Sequence, residues 1–347
     1  MDLHGKLATT VVGSFPLDKT QANTNRVITD QIAIGIDFPG VPQLEDMNTM
    51  FLEPLVDQGC GVEFINNKPC IVGDLRIPRY PIATAGLRNA QKFLRNNGHQ
   101  DSIKGMKVCV TGPFTLAEQI RVNGGSAIQK PYCVELLSQI VRKFVSDFDR
   151  YGADIITVDE PVLNFGISFF SLDDELILDC LNQVFKDITR STSSIHVCGD
   201  VFCVNKLLLE VDKVDYLDHE FANNPSNLKG YTKIELERHD KMIGFGCIDT
   251  SIDPTLYENI RRGIIPWRDA IESETEVRKR ILAAIDRYGE ENIVVDPDCG
   301  FGSLKSYIPS DQAYLVTLEK LRKMTSVVKT LRKELHLENF TQLEVIV

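Results

Sequence analysis

The sequence predicts an α/β fold of the closed (β/α)8 type, a TIM barrel with insertions at its C-terminal face. Three observations carry that expectation. Short apolar, β-branched runs alternate with amphipathic stretches along the whole chain of 347 residues. The runs are nearly continuous in apolar character, as strands of a parallel sheet covered by helices must be. About eight such units are present, which suits a closed barrel better than an open sheet. An open doubly wound sheet is the alternative, but no Gly-x-Gly-x-x-Gly follows any of the runs.

In chain order, strands are expected at 9–15, 32–38, 107–111, 154–159, 194–198, 216–221, 242–248 and 292–295. Amphipathic helices are expected at 133–151, 173–189, 275–288 and 312–335. The stretch from about 39 to 106 is too long for one βα unit and reads as an insertion over the barrel mouth. Residues 252–267 form a second long connection. Neither a low-complexity linker nor an internal repeat divides the chain, so a single catalytic domain over 1–347 is expected.

Composition narrows the function. The chain is 43% hydrophobic and 25% charged, with a net charge of −11 and a pI of about 5.1. Phosphate binding needs clustered Lys and Arg, so neither nucleic acid nor an anionic membrane is an expected partner. No apolar run is long enough to span a bilayer. The start of the chain lacks the pattern of a secretory leader. The nine cysteines sit mostly in apolar runs, as reduced core residues with a few metal-ligand candidates among them. A cytoplasmic protein is expected.

In a parallel barrel, functional side chains sit where strands end and loops begin. Those positions hold Gly13-Ser14, Asp159-Glu160, His196 and Cys198, Glu220, Asp249, and Asp298-Cys299. On a strand, residues i and i+2 point the same way, so His196 and Cys198 enter the mouth together. Imidazole and thiolate suit Zn2+, which takes four N, S or O ligands in a tetrahedron. Cys299 ends another strand, where Gly300 permits an immediate turn, and Glu220 ends the strand between them. A lone His-x-Cys is usually a packing feature. The coincidence of His196, Cys198, Glu220 and Cys299 on nearby strand ends makes a zinc site the stronger reading. His4, His99, His239 and His336 lie in polar or helical contexts and read as surface residues. His219 points away from Glu220 and reads as a wall or supporting residue.

The sequence resembles the catalytic half of cobalamin-independent methionine synthase, particularly its short stand-alone forms. The matching segments are Thr9-Thr10-Val11-Val12-Gly13-Ser14-Phe15-Pro16, Thr111-Gly112-Pro113, Val158-Asp159-Glu160-Pro161, His196-Val197-Cys198, 215–220 and Asp296-Pro297-Asp298-Cys299-Gly300. They span almost the whole chain in the family's order. The resemblance implies that zinc is held by His196, Cys198, Glu220 and Cys299. It implies that the backbone of Val12, Gly13 and Ser14 holds the carboxylate of an amino-acid thiol and that Asp159 takes its ammonium group. Asp159 and Glu220 are then the catalytic candidates, Glu220 being the ligand that yields to the incoming sulfur.

Three departures qualify the acceptor and donor. Ser251 stands where the family's Gly-x-x-Asp-x-His pattern has its catalytic histidine. Val41 stands where the family has an acidic residue ahead of the Asp46-Met47 pair. The run from His196 to Asp200 also resembles the zinc site of corrinoid-dependent methyltransferases. The expected activity is therefore zinc-dependent methyl transfer to a small thiol, homocysteine first, giving methionine. Zinc removes the thiol proton, so the nucleophile is formed at neutral pH. The expected donor is a methylcorrinoid, either methylcobalamin or a corrinoid protein, because the chain lacks the N-terminal barrel of the folate-using form. Segment 39–106 would form its docking rim, with Asn66, Asn67 and Arg76 near the tip. Two rivals stand beside this reading: transfer to a non-amino-acid thiol such as coenzyme M, and a non-catalytic zinc-binding barrel.

Overall fold

The computed structural model describes residues 3, 4, 6–165 and 172–337. Its centre is a six-stranded parallel sheet. The strands run in the order Lys107–Thr111, Ile155–Asp159, Thr192–Val197, Tyr216–Glu220, Met242–Ile248 and Ile293–Pro297. Their residues are almost all buried, because sheet neighbours and packed helices cover them from both sides.

Two irregular staves close this sheet into a TIM barrel. Val295 donates its N–H to Ala8 O at 2.7 Å, and Thr10 N–H donates to Val295 O at 3.0 Å. Phe38 N–H donates to Thr9 O at 3.0 Å, and Val41 N–H to Lys107 O at 2.8 Å. The two staves register only as isolated bridges at Thr9, Ser14 and Gly40. Pro39 and Pro42 explain part of this, since proline has no N–H to give to a ladder.

The expected strand at 32–38 is displaced. A helix, Gln21–Ala33, runs through Ile32, and the stave begins only at Phe38. Ile32, Ile34, Ile36 and Phe38 alternate like a strand, but Gly35 at φ +84° ends the helix there. Gly35 N–H donates to Ile32 O and Ile36 N–H to Gln31 O, the paired bonds of a Schellman close. The expected strand at 9–15 forms no regular strand, only the irregular stave with bridges at Thr9 and Ser14. The other six strands and the four expected helices fall within a few residues of their expected bounds. The helices are Pro131–Arg150, Asp174–Phe185, Glu274–Tyr288 and Ser310–Glu334.

Segment 39–106 holds two helices, Thr49–Asp57 and Thr84–Asn96, and a hairpin of Val62–Ile65 with Lys68–Ile71. Asn66 and Asn67, at φ +50° and +59°, make its two-residue turn. Arg121–Val122 and Gly125–Ser126 extend the hairpin into a small second sheet. The long connection after Ile248 carries the helix Pro254–Arg261. No helix among the described residues is long and apolar enough to cross a membrane.

The barrel interior is layered. Ala8, Phe38, Ile155, Tyr216, Met242 and Val294 pack as an apolar cluster near the strand starts. Further along the strands, Thr157, Ser194, Asp218 and Asp296 are fully buried polar residues, and Lys107, which opens its strand, is fully buried as well. The strand ends carry the chemistry.

Candidate metal centre

His196 lies near the end of the strand Thr192–Val197, and Cys198 follows directly. Gly199, at φ +79°, turns the chain at once, and a Cβ there would fall 1.9 Å from Asn164 Nδ2. Fully buried Asn227 fastens this loop, donating Nδ2 to Gly199 O and to Glu220 O, both at 2.8 Å. Across the barrel, the strand Ile293–Pro297 shifts register at Asp296/Pro297, which re-aims the Asp298-Cys299-Gly300 turn. Asp298 accepts N–H bonds from Phe221, Ala222 and Asn223 at 2.9, 2.9 and 2.7 Å. Gly246 leaves room for it, since a Cβ there would lie 2.5 Å from Asp298 Oδ1.

These turns bring three donor atoms together. His196 Nε2 is 3.0 Å from Cys198 Sγ and 3.6 Å from Cys299 Sγ, and the two sulfurs are 2.9 Å apart. Both cysteines are free thiols. Among the described residues this is the group of His, Cys, Asp or Glu atoms compact enough to hold a metal. Tetrahedral zinc, with Zn–S near 2.3 Å and Zn–N near 2.0 Å, sets donor separations of roughly 3.5–3.8 Å. The two sulfurs would have to part by about 0.9 Å and His196 and Cys198 by about 0.5 Å, so the donor set fits zinc in type and comes within about 1 Å of its spacing.

Glu220 stands outside that compact group. It is buried at the end of Tyr216–Glu220, and its carboxylate accepts from Asn224 Nδ2 at 2.6 Å and Asn223 Nδ2 at 3.3 Å. Asp159 is buried beside the three donors, and its Oδ1 has no hydrogen-bond partner. Burial pushes its carboxyl up to about 7, against the opposing pull of His196 and Lys107. Its neighbour Glu160 points elsewhere: it accepts from Phe114 N, Thr115 N and Thr115 Oγ1, and so caps the helix Pro113–Gln119.

Val12 and Ser14 line another wall of the site, and Gly13 lies between them without lining the cavity. Val12 O accepts the Cys109 thiol at 2.7 Å, Gly13 O accepts Gln43 N–H at 2.9 Å, and Ser14 O accepts Phe301 N–H at 2.9 Å. With the carbonyls occupied in this way, nothing among the described residues accepts from the N–H of Gly13 or Ser14. Ser14 Oγ accepts Gly302 N–H at 3.1 Å. A Cβ at Gly300 would meet that oxygen at 2.0 Å, so a glycine must follow Cys299 for the two walls to touch.

A cavity of about 550 Å3 opens between these walls, lined among others by Val12, Ser14, Asp159, His196, Cys198 and Cys299. Gln43, Glu45, Asp46 and Met47 from the start of segment 39–106 line it too. Ser251 is exposed, its N–H bonded to Asp249 Oδ1, and it is not among the lining residues. Asn66 and Asn67 sit at the hairpin tip, and neither they nor Arg76 line the cavity. His219 is a wall residue: Nδ1 is 3.0 Å from Val197 O and Nε2 is 3.0 Å from Tyr231 Oη.

Sequence reasoning missed Asp218, whose Oδ1 lies 3.1 Å from His196 Nδ1. It also missed Lys107, whose Nζ is 3.4 Å from Asp218 Oδ2. A signal was present in each case: a lysine opening an apolar strand, and an aspartate two positions before Glu220 on its face.

A parallel barrel with an open imidazole–dithiol cluster at its strand ends belongs, by architecture, with the enzymes that work at that rim. Comparison with known proteins narrows the class. Residues 62–329 match the family model described as "Cobalamin-independent synthase, Catalytic domain", and the chain belongs to that family. It is 30% identical over 319 residues to a methionine synthase of Methanothermobacter thermautotrophicus, covering 86% of this chain and 94% of the relative. A methionine synthase of Methanocaldococcus jannaschii is 27% identical over 352 residues, covering 94% of this chain and all of the relative. The solved B12-independent methionine synthase from Shewanella sp. W3-18-1, in complex with selenomethionine, superposes with a TM-score of 0.67 at 17% identity. That superposition covers 95% of this chain and 99% of the other, and it supports the barrel fold.

Proposed function

We propose that this protein transfers a methyl group to the sulfur of homocysteine, giving methionine, at a zinc centre held by His196, Cys198 and Cys299. The convergence of those three donors at the floor of an open cavity carries the reading. Zinc bound there would supply the thiol chemistry, keeping an incoming sulfur deprotonated at neutral pH. Three strong donors leave a fourth position for a weaker ligand, which distinguishes this set from a closed structural site. Glu220, one strand away and held on two asparagine amides, is the proposed fourth ligand.

The chain's own residues then handle the amino-acid end of the acceptor. The unclaimed N–H groups of Gly13 and Ser14 receive its carboxylate, and Asp159 receives its ammonium group through a charge-assisted hydrogen bond. Together they hold the sulfur against the donor atoms and aim it outward. The proposed donor is a methylcorrinoid brought from outside, and the relatives named methionine synthase support the acceptor.

Metal analysis and turnover test the reading together. Purified protein should carry about one zinc per chain, and Cys198→Ser and Cys299→Ser should each lose most of it along with methyl transfer to homocysteine. Full zinc retention in both variants would remove the site from consideration.

A further inference from the structure

The polar residues beneath the donor cluster have so far no role. Asp218 is completely buried, and so is Lys107. Asp218 stands on the strand next to His196, directly opposite it in register. Its Oδ1 is 3.1 Å from His196 Nδ1 and its Oδ2 is 3.4 Å from Lys107 Nζ, a lysine reaching in from a strand on the far side of two others. Room for the aspartate is made on its other flank. Gly244 is its register partner there, and a Cβ at Gly244 would lie 2.9 Å from both Cα and Cβ of Asp218.

Burying an ion pair carries a large desolvation cost before attraction returns any of it, and an apolar pair of like volume would often be as stable. Packing alone therefore gives no reason for a lysine and an aspartate inside the barrel. Geometry gives one. The 3.1 Å contact is not aligned as a hydrogen bond in this structure. Yet a carboxylate oxygen that close to Nδ1 favours the proton on that nitrogen electrostatically and leaves the lone pair on Nε2, the atom that faces Cys198 and Cys299. We infer that Asp218 is a positioning residue for His196: it fixes the tautomer and ring orientation of this donor, while Lys107 balances its charge from across the lumen. This rests on the zinc reading above and deepens it. Metal-binding histidines commonly give their second N–H to such a carboxylate, and removing the partner typically weakens metal binding 10–100-fold.

The test is zinc affinity by competition with a chromophoric chelator, on full-length protein shown to be folded by circular dichroism. Asp218→Asn keeps the volume and removes the charge, and it should bind zinc about 10–100-fold more weakly than the parent. Cobalt substitution should still give the thiolate-to-metal charge-transfer band, because both sulfurs remain. Asp149→Asn serves as control. Asp149 is buried at the loop 189–191, away from the cavity, and accepts bonds from Thr189, Arg190 and Ser191. It should lower stability and leave zinc affinity unchanged. Should Asp218→Asn fail to fold, Gly244→Ala presses on the aspartate without removing it, and it should weaken zinc binding in the same direction. Parent-like affinity in Asp218→Asn, or an equal loss in Asp149→Asn, overturns the positioning role and leaves the metal centre standing. A parent protein that binds no zinc overturns both.

Discussion

Asp159 shows how a single buried carboxylate can be read. One of its oxygens has no partner, burial pushes its carboxyl up to about 7, and it borders the cavity beside the three donors. An ammonium group arriving there supplies the charge that the pocket lacks. Asp159→Asn should therefore weaken homocysteine binding by roughly 1.5–3 kcal/mol, the range for a hydrogen bond to a charged group, and barely affect a thiol without an amine, such as coenzyme M. Calorimetric titration with both thiols decides the matter; equal losses would mean that Asp159 serves the fold. His196, Cys198, Cys299 and Asp159 were legible in the sequence because strand periodicity and the turn glycines place their side chains at the mouth. Asp218, Lys107 and Asn227 were not, because each acts through a neighbour that only strand order and register bring into reach. The position of Ser251 was legible, but its exposure depends on the course of the loop after Ile248.

At the scale of elements, the loops at the strand starts keep the barrel in register, and Asp149 is the clearest case. Near the end of the helix Pro131–Arg150, it accepts from the N–H groups of Thr189, Arg190 and Ser191 and from the hydroxyls of Thr189 and Ser191. Burial alone would raise its carboxyl, but these bonds outweigh burial and hold it below the usual value of 3.8. A carboxyl depressed in the folded state contributes stability above its unfolded pKa and loses it as pH falls through the folded one. Asp149→Asn should thus cost roughly 1–3 kcal/mol at pH 7, with a gap that narrows below about pH 4. Urea denaturation at several pH values measures it, and a gap constant down to pH 3 would refute the assignment. The regular strands were legible for the same reason that they are regular: a continuous ladder demands apolar, β-branched runs. The two N-terminal staves were harder to read, because Pro39, Pro42 and a helix ending at Gly35 break the pattern.

For the molecule as a whole, the charge of the cavity bears on which methyl donor it accepts. Glu45 and Asp46 line the cavity, and among the described residues Lys305 is the one lysine or arginine that lines it. A folate with a polyglutamate tail calls for clustered cations, whereas a flat corrinoid needs only an open approach to the sulfur. Methyl transfer from methylcobalamin to homocysteine should exceed transfer from methyltetrahydrofolate at least tenfold at equal concentrations. Steady-state assays with both donors check this, and a faster reaction with the folate would retire the corrinoid proposal.

The manner of barrel closure has a consequence for how the chain acquires its structure. The stave at Thr9 bonds to Val295, and Arg332 of the last described helix bonds to Lys6 O and Leu7 O. The first stave therefore has no partner on one flank until the chain as far as Val295 has left the ribosome. Until then Phe38 and the apolar edge of the growing sheet face water, and a loop spanning most of the sequence must be closed before that edge is covered. Refolding should be slow and strongly dependent on non-local contacts, and the nascent protein is a natural client for chaperones that shield unfinished sheet edges.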